Sequence, residues 1–142
     1  EKFVKFFGKN FKIFDCTFKL NESLEEAINN LKKDCEESVR QGVTQIILSD
    51  KNISEKRCAI PMLLCIGAIN SNLINLGLRG YVSINVQSGE TMDTHSFATM
   101  IGMGATTINP YLAFDSIYER YKKKLFGNLK NCHLYNSYIS SQ

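Results

Sequence analysis

The sequence predicts an α/β fold: alternating strand–helix units with a mainly parallel sheet, either barrel-like or open. Short strand-like stretches recur at residues 11–14, 46–48, 82–86 and 106–108. The stretches between and after them repeat their apolar residues at helical spacing. A capping residue or a proline opens each stretch and a glycine closes it. Successive strand–helix units joined by right-handed crossovers lay helices over a parallel sheet. Periodicity does not choose between the open and the closed form.

The basic, aromatic opening at residues 1–10 has no clear period. Phe11, Ile13 and Phe14 lead into a first strand that ends near Asp15 and Cys16. Residues 21–42 form the clearest helix: Ser23 and Glu26 make a capping box, and Leu24, Ile28, Leu31, Cys35 and Val39 trace one face. Ile46, Ile47 and Leu48 read as a strand buried on both sides. A polar loop, 49–56, precedes a second helix opened by Pro61, with Met62, Ile66, Ile69, Leu73 and Leu76 on one side. Val82, Ile84 and Val86 form the third strand. Residues 94–102 give a short helix and 106–108 the fourth strand. Pro110 starts a fourth helix whose inner face is expected to be Phe114, Tyr118, Tyr121 and Leu125. Residues 128–142 show no convincing element, so the core is expected at about 11–127 of a single domain, with 1–10 and 128–142 as unassigned flanks.

Composition narrows the class. With 142 residues, 44% hydrophobic and 22% charged, the chain fits one globular domain, long enough to bury about 70% of its unfolded surface. The uncharged stretch at 59–78 is broken by Asn70, Ser71, Asn72 and Asn75, so it reads as a buried helix and not a membrane span. A net charge of +3, thinly spread, argues against a nucleic-acid partner. The run Lys122, Lys123 and Lys124 lies where cations favour a helix C-terminus. Five cysteines without a CxxC pair suggest free thiols in a reducing, intracellular setting, cytoplasmic or organellar. No basic leader with an apolar core opens the chain. Glu1 at one end and Ser141 and Gln142 at the other give it the look of a piece cut from a longer protein.

In parallel α/β folds, function gathers at the carboxyl ends of the strands. Those ends carry Asp15 and Cys16, then Ser49 and Asp50, then residues 87–90, then Asn109. They form a polar rim able to bind a ligand, although Asp, Asn and Ser also cap helices and hold turns. Gly102, Met103 and Gly104 close a helix and enter a strand, the reverse of the order a phosphate-cradling loop needs. His95 and His133 stand far apart in sequence and make a poor metal pair. Spacing alone leaves a Cys–His pair open, since such groups meet in space.

Local strings go further. Asp15, Thr17 and Phe18 are similar to a D-x-T-F motif, and Gly42 with Leu48, Ser49 and Asp50 resembles a G-x5-L-S-D strand end. Ile60, Pro61, Leu63, Leu64, Gly67 and Ala68 follow I-P-x-L-L-x-x-G-A. Leu73, Ile74, Gly77, Leu78 and Arg79 follow L-I-x-x-G-L-R. Gly89, Glu90, His95, Phe97, Ala98, Gly102, Gly104 and Ala105 continue the series, and Asn109 to Ala113 read N-P-Y-L-A. In order and spacing this series resembles the central domain of the glutamate synthase large subunit. Asn70, Ser71, Asn72 and Ser96 stand where that family often has histidine, Lys51 where arginine is usual and Met103 where tyrosine is common.

The resemblance implies a domain without catalytic residues, lying between a glutamine amidotransferase domain and an FMN synthase domain of the same chain. There it would help to wall an ammonia tunnel. The whole enzyme would make glutamate from glutamine and 2-oxoglutarate, using FMN, an iron–sulfur cluster, and NAD(P)H or ferredoxin as donor, with a reductase subunit or domain as a further partner. This stretch would itself hold no cofactor and no metal: the family's nucleophilic cysteine and clustered iron–sulfur cysteines have no counterpart here. Asp50, His95 and Asn109 are the candidates for the tunnel or a domain interface. The alternatives are a free-standing small-molecule-binding module that uses the polar strand ends, and a small enzyme with a Cys- or His-based site.

Overall fold

The computed structural model describes residues 10–127 and 131–140. At its centre four parallel strands lie side by side in chain order: β1 (Phe11–Asp15), β3 (Gln45–Ser49), β5 (Ser83–Gln87) and β6 (Thr107–Asn109). The helices between them are α1 (Leu24–Arg40), α2 (Met62–Asn75) and α3 (Thr94–Gly102), with a 3-10 turn over Arg79–Tyr81. The expected alternation of strand and helix is thus present, and the sheet is parallel.

One hydrophobic cluster joins one face of this sheet to those helices. Phe14, Ile46, Leu48, Ile84 and Val86 meet Leu31, Cys35 and Val39 of α1, Ile66, Ile69 and Leu73 of α2, and Met100 of α3. The period-two alternation of the strands selects the first set and the helical period the second. Helix α1 starts as its sequence dictates. The Ser23 hydroxyl accepts from Glu26 N at 3.1 Å, and Glu26 Oε2 accepts from Ser23 N at 3.3 Å. Its far end is fastened to the edge strand, where the Lys12 ammonium donates to Ser38 Oγ at 2.8 Å.

Three features depart from the sequence expectation. A second, two-stranded antiparallel ribbon pairs β2 (Thr17–Lys19) with β4 (Arg57–Ala59). Arg57 pins it, donating to Thr17 Oγ1 (2.8 Å), Thr17 O (2.8 Å) and Asp15 Oδ2 (3.0 Å). Neither arm stands out in the sequence, since each lies beside an element already read there: β2 just past the first strand, β4 just before the second helix. Next, a helix α5 (Asn131–Ser140) occupies part of the 128–142 flank that showed no element. It is held by aromatic contacts, Phe114 meeting Tyr135 and Tyr138 edge-on at centroid distances of 5.5 and 5.8 Å. Last, the expected inner face of α4 (Tyr111–Lys122) is wrong beyond Phe114. Ala113 is the buried residue, while Tyr118 and Tyr121 are exposed and Leu125, past the helix end, is 67% exposed. The opening at residues 1–9 lies outside the described residues, as does the side chain of Cys132. Cys16, Cys35, Cys58 and Cys65 are free thiols, and only Cys58 of these is exposed. No helix among the described residues is long and apolar enough to cross a membrane.

Candidate functional site

The carboxyl ends of the strands gather the polar groups that the sequence placed there. Asp50, the residue after β3, is 1% exposed. Its Oδ2 accepts from Ser88 Oγ at 2.9 Å, and its two oxygens accept from Gly89 N at 2.9 and 3.2 Å. The hydroxyl of Tyr111, at the start of α4, lies close to this carboxylate. A buried charge is tolerable only when hydrogen-bonded in this way. A Cβ at Gly89 would stand 3.1 Å from Tyr111 Oη, so a larger residue there would press the tyrosine aside.

The network extends sideways. Ser88 Oγ accepts from Glu90 N at 3.0 Å, and Ser88 N donates to Asn109 O at 3.1 Å. Glu90 Oε2 in turn accepts from Met62 N at 3.0 Å. Helix α2 has no acidic residue in its first turn and no side-chain cap of its own. A carboxylate lent by another element therefore meets the positive end of its dipole. Lys51 places its ammonium 4.8 Å from the Tyr111 ring centre. The rim thus ties β3, β5, α2 and α4 together, and its polar groups are spent largely on one another.

Of the three candidates, Asp50 and Asn109 share this edge, Asn109 through its backbone. His95 does not join them; it is an exposed residue in the first turn of α3 whose carbonyl accepts from Thr99 Oγ1 at 3.0 Å. Tyr111 carries weight here that its sequence position did not reveal, because a tyrosine in a first helical turn reads as packing. Gly102 ends α3 and Gly104 follows in the turn to β6, the order read from the sequence. Among the described residues no group of three or more His, Cys, Asp or Glu side chains is placed to hold a metal ion. The neighbouring Cys65, and then burial, push the Cys16 thiol well up from its ordinary value, and burial does the same to Cys35. Such thiols are poor nucleophiles at neutral pH.

The Tyr111 hydroxyl is pushed up from 10.0 to about 12, first by burial and then by Asp50. A folded-state value above the unfolded one stabilises the fold at lower pH and is lost as pH rises through the folded value. Denaturant titrations should therefore show stability falling between pH 10 and about 12, less steeply in Tyr111→Phe. Equal slopes for the two proteins would show that another group is responsible.

A parallel α/β domain whose strand ends are hydrogen-bonded to each other is the class that fold and site define. Known sequences then supply the kinship. The family profile described as "Glutamate synthase central domain" matches residues 2–141. The chain belongs to that family. It is 42% identical over 118 residues to the "Glutamate synthase [NADPH] large chain" of Azospirillum brasilense, covering 81% of this chain and 8% of that protein. The Bacillus subtilis (strain 168) protein of the same name is 44% identical over 105 residues, 74% of this chain and 7% of the relative. The chloroplastic "Ferredoxin-dependent glutamate synthase" of Spinacia oleracea is 41% identical over 105 residues, 72% of this chain and 6% of the relative. This chain therefore spans less than a tenth of the length of the curated relatives it matches.

Proposed function

We propose that this chain is a non-catalytic part of a glutamate synthase, linking the glutamine amidotransferase domain to the FMN synthase domain and helping to wall the ammonia path between them. The observation that carries this reading is the central-domain family match across nearly the whole chain. The whole polypeptide would form glutamate from glutamine and 2-oxoglutarate. FMN, the iron–sulfur cluster and the site for NAD(P)H or ferredoxin would lie in other domains or in a reductase partner, within the cell or an organelle.

A wall residue contributes exclusion of water and a continuous surface; it performs no proton transfer. Asp50, His95 and Asn109 are the proposed contributors. Asp50 acts by holding the rim in shape, whereas His95 and Asn109 are the more accessible of the three. In the intact polypeptide, Asn109→Ala and His95→Ala should lower glutamate formed per glutamine hydrolysed, and activity with saturating external ammonia should suffer less. An unchanged ratio accompanied by a lowered melting temperature would mean that these residues only brace the fold.

A further inference from the structure

The antiparallel ribbon stands at the same end of the sheet as the polar rim, since β2 continues from β1 and β4 from the loop that leaves β3. Two tight turns finish it. Glu22 N donates to Lys19 O at 3.0 Å, and Ser54 and Arg57 exchange both of their backbone hydrogen bonds, at 3.2 and 3.1 Å. Leu20 N donates to Lys56 O at 3.3 Å and laces one turn to the other. Between the turns lies a hollow of about 550 Å³, lined by Lys19, Leu20, Asn21, Ser54, Lys56 and Arg57. Turns fixed by their own backbone give a hollow that exists before anything enters it, the usual condition of a small-molecule site.

The wall holds three cationic side chains and no carboxylate. Arg57 is occupied, its Nε and Nη2 going to Thr17 and Asp15. Lys19 and Lys56 enter no ion pair among the described residues. Of the acids beside them, Asp15 is taken by Arg57, Glu22 turns to the backbone N–H of Lys19 at 3.5 Å, and Glu55 lies outside the wall. Two ammonium groups are thus left without a countercharge.

The floor is apolar. Leu20 is 66% exposed, and the lysines and Arg57 add the aliphatic stems of long side chains. The N–H groups of Leu20, Glu22, Ser54 and Arg57 are all spent within the turns. That leaves few of the donors with which a backbone nest holds an inorganic anion. Charge at the mouth and carbon in the middle fit instead an anion with an aliphatic body.

We infer that this hollow binds a small dicarboxylate. One carboxylate meets Lys19 and the other Lys56, the aliphatic middle lies over Leu20, and the Asn21 amide and Ser54 hydroxyl complete the contacts. The site is separate from the rim around Asp50 and needs nothing from the tunnel reading.

Hydrogen exchange read by mass spectrometry on the intact polypeptide tests this, with glutarate as the probe. Millimolar glutarate should slow exchange in the segments 17–22 and 53–58. The concentration giving half of that protection should rise on the order of tenfold in the Lys19→Gln, Lys56→Gln double variant, the combined worth of two exposed charge pairs. Both lysines are exposed, so the variant should fold as the parent does. Butyrate, with a single carboxylate, should protect these segments more weakly than glutarate. Absence of protection by glutarate, or protection unchanged in the double variant, would overturn the inference. Equal protection by inorganic phosphate would overturn it too, by reducing the site to a patch of charge. None of these measurements uses the ratio of products, so the tunnel reading and this one fail separately.

Discussion

Replacing Asp50 by alanine should cost about 3–5 kcal/mol in chemical denaturation, one of the two largest single-residue effects expected in this protein. The carboxylate satisfies two donors, Ser88 Oγ and Gly89 N, and the Tyr111 hydroxyl lies close beside it. Alanine would leave them facing a small void, with Ser88 and Gly89 buried or half-buried and little water to replace the lost acceptor. Each unpaired buried donor carries a penalty of about 1–3 kcal/mol. Asp50→Asn keeps the volume but turns an NH2 group toward donors, so its cost should be intermediate. In a double-mutant cycle, Tyr111→Phe should cost much less in the Asp50→Ala background than alone, because its partner is already gone. A loss below about 1 kcal/mol for Asp50→Ala would mean that the rim is not the clasp its geometry describes.

The second large effect belongs to the turn between α3 and β6. Gly104 has φ +117°, a conformation that side chains rarely adopt, and a Cβ there would stand 2.5 Å from Asn70 Cγ. That amide cannot simply step aside, because its Oδ1 accepts from Arg79 Nε at 2.7 Å. The same guanidinium donates to Val82 O and Gly104 O at 2.6 and 2.9 Å. Gly104→Ala therefore combines backbone strain with the loosening of a charged clamp, a loss of about 3 kcal/mol or more. Adding Asn70→Ala removes the obstacle but not the strain. The double variant should be more stable than the sum of the single losses predicts. Strict additivity would contradict the steric half of the account.

Legibility in the sequence followed the length of each signal. Helix α1 could be read to within a few residues because a capping box, a five-residue apolar stripe and a closing glycine all agreed. Strand β3 was plain because three consecutive apolar residues fill it, and β5 because Ile84 and Val86 alternate with polar residues. The β2–β4 ribbon escaped because each arm lies beside an element already read and its partner lies some forty positions away (Thr17 opposite Ala59). Helix α5 escaped because its Asn, Ser and Tyr residues pack through ring edges, which leave no helical stripe of aliphatic residues. The apolar stripe of α4 was read correctly as a stripe and assigned to the wrong surroundings: hydrophobic spacing identifies a face to be covered, not what covers it. At the rim, the sequence named Asp50 and Asn109 through strand-end position. It could not pair Asp50 with Tyr111, because that contact exists only once β3 and β6 are two strands apart in one sheet. His95 carried a motif but no geometry.

The carboxylate that Glu90 lends to α2 has a consequence for the order in which the chain folds. Each strand of the sheet neighbours the one made just before it, which keeps most contacts short in sequence and favours unit-by-unit assembly as the chain is synthesised. The cap runs against that direction. Met62 must wait for a residue 28 positions later before its N–H is satisfied. Until β5 has docked and Ser88 has turned Glu90 into place, the second unit holds its helix by the apolar face alone. Completing the third unit is thus what closes the second, so a chain that stalls between them carries a helix with an open end.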